Sequence, residues 1–214
     1  MRVRECERFG RETHPRWDGA FFEQAVRRFG IDTAAKVHWL SRGQRAGVSL
    51  ASTLAGDPEL LILDDPALGL DPVSRRALNE TIIEFCELGD RTVLLSSHLL
   101  DDVERVADRV ALMVDGRMLV DSTLDDFRNR VSAWLVDVPQ DPTVNHTIPG
   151  LVHCRPVGSR WQITIADSIA ETIAAIEGIG AVITEPVDVT FEDAVLAYLS
   201  RSRVGHSFYS GAAS

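Results

Sequence analysis

Hydrophobic positions recur at helical spacing from Asp18 to Phe29, where Phe22, Ala25, Val26 and Phe29 share one face and Gly30 supplies a stop. The same spacing returns after Leu40-Ser41-Arg42-Gly43-Gln44. It predicts a helix to about Ala55 with Val48, Ala51, Leu54 and Ala55 inward and Gly56 as cap. The pattern then changes to an unbroken apolar run, Leu60 to Leu63, ending in Asp64-Asp65, which predicts a buried strand that carries acids to a sheet edge. Asp71-Pro72 reads as N-cap plus first helical residue of a helix through Leu78, Ile82 and Phe85. Thr92 to Ser96 predicts a second buried strand, followed by Ser97-His98 and a short helix over roughly Leu100 to Ala107. A strand from Arg109 to Val114 turns at Asp115-Gly116, a hairpin pair, and returns through Met118 to Val120. Ser122 and Asp125 suggest a capping box for a short helix.

Character changes near Arg130. Trp161, Ile163 and Ile165 alternate as in a strand, Ile169, Ile173 and Ile176 follow a helical face, another strand surrounds Val182, and a last helix runs from about Phe191 to Leu199. This second region reads as a small α+β domain. The Ser-, Gly- and Ala-rich tail 202–214 is expected to be disordered.

Composition narrows the function. A net charge of −10 and the lack of any basic stripe exclude nucleic acid as principal partner. Cys6, Cys86 and Cys154 are too far apart for a metal spacing or a disulfide framework, so a reducing compartment is expected. No apolar run reaches the roughly 18 residues of a membrane span, and the first residues lack the apolar core of a secretion signal. The single lysine, Lys36, follows Ala35, so the phosphate loop G-x-x-x-x-G-K-[ST] occurs nowhere in the 214 residues.

In order and spacing, the motifs resemble the second half of an ATP-binding cassette (ABC) ATPase, the motor subunit of ABC transporters. Leu40 to Gln44 is similar to the signature Leu-Ser-Gly-Gly-Gln, with Arg42 in place of the first glycine. Leu60 to Asp64 resembles the Walker B strand, Gly69-Leu70-Asp71 the D-loop, and His98 stands where the family has its switch histidine. The resemblance covers about Trp17 to Val120. It implies an α/β fold, an incomplete P-loop NTPase (ABC ATPase) core with a helical subdomain, plus the small α+β C-terminal domain. The expected division is 1–130 for the nucleotide-binding part, with the helical subdomain about 15–56 and the core about 57–121, and 131–201 for the accessory domain.

The residues fit that chemistry. Ser41 and Gly43 precede a helix, so hydroxyl, backbone N–H groups and the helix dipole can point at an anion; a plain N-cap with a tight turn is the simpler reading of the same residues. The resemblance makes Ser41, Arg42, Gly43, Gln44 and Asp71 contacts to nucleotide held by an opposite subunit, with the Arg42 guanidinium able to reach phosphate. It makes Asp64 the carboxylate that holds Mg²⁺ through water, and places Asp65 at the position of the catalytic glutamate. One methylene shorter than glutamate, Asp65 sits farther from attacking water, so slow or altered hydrolysis is expected. His98 is expected to donate to a γ-phosphate. Asp71 also caps its helix. Trp17, Phe21, Phe22 and Phe29 are expected to pack the subdomain that carries the signature, and Asp101-Asp102-Glu104 to form a solvated helix start.

The resemblance further implies ATP and Mg²⁺ as cofactors, a second ABC nucleotide-binding subunit (homo- or heterodimer), a separate transmembrane permease, and a cytoplasmic place on the inner face of the membrane. It also implies roughly 80–100 upstream residues with the phosphate loop and Q-loop. Without them the strands are expected to leave apolar faces and ladder edges exposed. Three readings follow: an ABC exporter ATPase whose remaining half lies upstream or on another chain, a hydrolysis-incompetent dimer partner that offers its signature loop in trans, and a non-functional gene remnant.

Overall fold

Side-chain caps set the starts of several helices. A computed structural model of the chain describes residues 1–138, 148–167 and 169–204, in two compact units, Met1–Val106 and Ala107–Ser214. The expected disordered tail lies outside the described residues from position 205 onward.

The first unit opens with α1 (Val3–Thr13), which the sequence pattern did not suggest because only Val3 and Gly10 of it are buried. Asp18 caps α2 (Gly19–Arg28) by accepting from the Phe21 amide at 2.9 Å. Ser41 caps α3 (Arg42–Ala55), and Gly56 ends it. Strand β1 (Leu60–Asp64) pairs in parallel with β2 (Thr92–Ser96), joined by α4 (Pro72–Glu87) and followed by α5 (Leu100–Val106). The core gathers Phe21, Phe22, Val26 and Phe29 with Leu50 and Leu54 of α3 and Leu78, Ile82 and Phe85 of α4; Trp17 packs on its margin, 5.6 Å from the Phe22 ring.

The strands leave exposed an apolar face of the kind expected, and one helix start departs from expectation. The strands are buried on one face only: Leu61, Leu63 and Val93 join the core, while Ile62 and Leu94, paired in register, are 65% and 59% exposed, with Leu60 beside them. Strand alternation puts residues i and i+2 on one face, and nothing covers that face among the described residues. Asp102 is not a solvated helix-start acid. It is 8% exposed, accepts from Asn79 Nδ2 at 2.8 Å and lies 3.7 Å from the Arg75 guanidinium, because α5 turns this position onto α4.

The second unit begins with the hairpin β3 (Arg109–Val114) and β4 (Arg117–Thr123). Asp115 and Gly116 both take positive φ, as a tight hairpin turn requires. The cap of α6 (Leu124–Asn129) is Thr123, which accepts from the Asp126 amide at 3.1 Å. Ser122, the expected cap, is a buried strand residue one position earlier. Four antiparallel strands follow in the order β6-β7-β5-β8, with β5 (Val131–Asp137), β6 (Leu151–Val157), β7 (Arg160–Ala166) and β8 (Val182–Val187). Helix α7 (Ile169–Gly178) packs Ile176 against Val136, Ile163 and Ile165 on one face. Helix α8 (Phe191–Val204) lies over β6 and β7 and runs past the expected end at Leu199, into the stretch read as tail. No helix of the described residues is long and apolar enough to cross a membrane.

Candidate functional site

Register brings the strand-end residues together. Asp64 pairs with Ser96 across the parallel ladder, and Ser96 Oγ donates to Asp64 Oδ1 at 2.5 Å. The Asp65 amide in turn donates to both the Ser96 carbonyl and the Ser96 hydroxyl at 3.0 Å. One hydroxyl thus links both acids. Nothing local singles out Ser96; its signal is a hydroxyl at the end of the neighbouring strand.

Asp65 leaves the strand with φ of +44°, a conformation that aspartate tolerates better than most residues. This turns its carboxylate toward His98, whose Nδ1 lies 2.8 Å from Asp65 Oδ2. Asp65 Oδ1 is buried without a hydrogen-bond partner, while His98 is 58% exposed and its Nε2 makes no hydrogen bond among the described residues. Two carboxylates, a hydroxyl and an imidazole therefore meet at the carboxyl ends of two parallel strands, where open α/β sheets place their ligands.

The signature residues form a second cluster. Ser41 Oγ accepts from the Gln44 amide and Gln44 Oε1 accepts from the Ser41 amide, both at 3.1 Å, closing a capping box. Gly43 sits against the start of α4, where a Cβ would lie 2.1 Å from Ser74 Oγ, so only glycine fits. Asp71 accepts from the Val73 and Ser74 amides at 3.0 Å and from the Ser74 hydroxyl at 2.7 Å. The Ser74 hydroxyl foremost, then the amides, hold the Asp71 carboxyl below its ordinary value. Arg42 differs from the expectation of a guanidinium reaching outward to phosphate. It donates to the Leu68 carbonyl at 2.9 Å and lies over Gly69, where a Cβ would meet its Nη1 at 2.5 Å. The loop carbonyls are the nearer acceptors, and Gly69, at φ of +70°, leaves them open to approach.

The donor set fits an ATP–magnesium site in part. Hard carboxylates and an unpartnered buried oxygen suit a hydrated cation. Among the described residues, however, no group of three or more His, Cys, Asp or Glu side chains is placed to hold a metal alone, and the 214 residues contain no phosphate loop.

A parallel strand pair with acids at its carboxyl ends and helices beside it is an α/β arrangement. No family model matches the chain. It is 30% identical over 142 residues to the energy-coupling factor transporter ATP-binding protein EcfA2 of Bacillus subtilis, covering 65% of this chain and 51% of the relative. It is also 30% identical over 142 residues to an uncharacterized ABC transporter ATP-binding protein of Nostoc sp., covering 65% of this chain and 42% of the relative. A solved ATP-binding subunit of an ABC transporter superposes with a TM-score of 0.50 at 29% identity, over 60% of this chain and 55% of that one. The chain thus spans about half the length of these relatives or less. Over the matched part, its homologues and structural neighbours are ATP-binding subunits of ABC transporters, and its fold class is that of their ATPase domain.

Proposed function

We propose that the first unit forms the hydrolysis and signature edges of an ATP site, as part of an ATP-binding subunit that energises an ABC transporter. One observation carries the reading: Asp64, Asp65, Ser96 and His98 meet at the strand ends, with Asp65 and His98 2.8 Å apart. ATP with Mg²⁺ would supply the phosphoanhydride and the cation that polarises it. The chain's own residues then have separable tasks. Asp64 would hold the hydrated cation, with Ser96 fixing its carboxylate. Asp65 accepts a proton from water, and His98 Nδ1 orients its carboxylate while the Nε2 side stays available to a phosphate oxygen. Ser41 and the amides at the start of α3 face an anion, while Arg42 ties that helix start to the Leu68–Gly69 turn.

The phosphate cradle must come from other residues, upstream or on another chain. A second ABC nucleotide-binding subunit and a separate permease are the partners, and the place of action is the cytoplasmic face of a membrane. A division with the accessory α+β domain from residue 131 is part of this proposal; the compact units themselves meet at Val106 and Ala107.

The test joins this chain to the phosphate-loop half of a complete ABC subunit and measures ATP binding by equilibrium dialysis. Binding is expected, with hydrolysis raised further by Asp65→Glu. A folded hybrid that binds no ATP would show that these motifs are misplaced.

A further inference from the structure

The second unit contains a cleft of about 360 Å³ between α8 and the β6–β7 half of its sheet, within the size range of small-molecule sites. Its lining is not what a helix-covered sheet face needs for stability. The opposite face is apolar, with Ile163, Ile165 and Val136 packed on α7. On the cleft face, β7 presents Gln162 and Thr164, and β6 presents Arg155 and His153, each directly across the ladder from its partner. Ala133 completes the His153–Thr164 row with a side chain too small to fill the space above it. Leu196 and Ala197 of α8 supply an apolar wall, and Asp188, just beyond β8, closes the far end.

The hydrogen bonds already made show which groups remain for a ligand. Arg155 Nε and Nη2 both donate to Gln162 Oε1, at 3.2 and 2.8 Å, which fixes the guanidinium and leaves Nη1 and the Gln162 amide N–H groups as donors. Asp193 also lines the cleft, but its Oδ2 accepts from the Thr190 amide and hydroxyl at the helix start, at 3.0 and 2.8 Å. Asp188, with neither oxygen engaged among the described residues, is the more open of the two carboxylates. Carboxylates at this end disfavour a phosphate or other polyanion, and the cationic donors at the other disfavour a metal ion.

Arg155 lies on one edge strand and Asp188 follows the other, three strand spacings or about 14 Å apart across the sheet and three residues or about 10 Å apart along it, before their side chains reach inward. A free α-amino acid carries its charges on neighbouring atoms and cannot serve both. We propose that this cleft binds a short zwitterionic peptide of dipeptide size. The C-terminal carboxylate meets Arg155 and Gln162, the backbone amide meets Thr164, the N-terminal ammonium meets Asp188, and an apolar side chain rests on Leu196. This proposal is independent of the ATP site.

The test titrates the full chain with Ala-Leu dipeptide by calorimetry and by amide chemical shifts. Saturable binding is expected, with shifts at His153, Gln162 and Thr164. Free leucine, and Ala-Leu acetylated and amidated at its ends, should each bind at least tenfold more weakly. Arg155→Gln and Asp188→Asn, both at exposed positions, should each weaken binding at least tenfold. The capped-peptide comparison uses the unaltered protein, so it stands even if a variant fails to fold. No saturable binding at millimolar peptide, equal binding of the capped peptide, or affinity unchanged in two folded variants would each overturn the proposal.

Discussion

Replacing Gly43 by alanine isolates the contact that joins the signature helix to the start of α4. A methyl at this position would lie 2.1 Å from Ser74 Oγ, 2.7 Å from Ser74 Cβ and 3.2 Å from Asp71 Oδ2. Carbon and oxygen atoms prefer separations well beyond 3 Å, so Ser74 has to move by about 1 Å. That movement breaks its 2.7 Å hydrogen bond to Asp71. Overpacking of this kind typically costs about 1–3 kcal/mol. Alanine's better helix propensity opposes it by at most about 1 kcal/mol, and by less in a first turn. The net expectation is destabilisation of the first unit by about 1–2 kcal/mol. Hydrogen exchange of α3 and α4 amides reads this unit separately, which matters because two compact units need not unfold together. The second unit should exchange unchanged. Ser74→Gly removes both colliding atoms, so the double variant should recover most of the loss, a non-additivity that a double-mutant cycle measures. A neutral or stabilising Gly43→Ala, or strict additivity with Ser74→Gly, would refute this account of why glycine stands there.

Three further outcomes follow from the same geometry. Asp71 has a folded-state pKa depressed below 3.8, so its cap contributes fully above that value and is lost as pH falls through the lower folded value; acid titration of α4 exchange should lose this component in Asp71→Asn. Arg75→Ala removes the cation beside buried Asp102 and should cost about 1–2 kcal/mol, discounted for the partial exposure of Arg75, as measured by exchange in α4 and α5. Gly69→Ala places a side chain at φ of +70° and against the Arg42 guanidinium. It should cost about 1–2 kcal/mol, and adding Arg42→Ala should relieve the collision but not the backbone strain; full recovery in urea unfolding would contradict this.

Elements whose signals are local could be read from the chain alone. Ser41 and Asp71 were legible as caps, Asp115-Gly116 as a turn, and the apolar run before Asp64-Asp65 as a strand with acids at its end, because each depends on neighbours a few residues away. The order of the motifs likewise pointed to the relatives. The strands β5 and β6 escaped because their alternation is blurred: β5 is buried on both faces around Val136, and β6 keeps Arg155 and His153 on the cleft side.

How the pieces act on one another emerged from packing. Ser96 links Asp64 to Asp65 because a parallel register aligns it with Asp64, 32 residues away in the chain, and no local pattern encodes that register. Arg42 turns to the Leu68 carbonyl, 26 residues away, because Gly69 lets it approach. Asp102 is buried because α5 docks on α4, not because of its own neighbours in the chain. Burial and pairing are properties of the packed chain, and short-range chemistry fixes them only where the partner is also close in sequence.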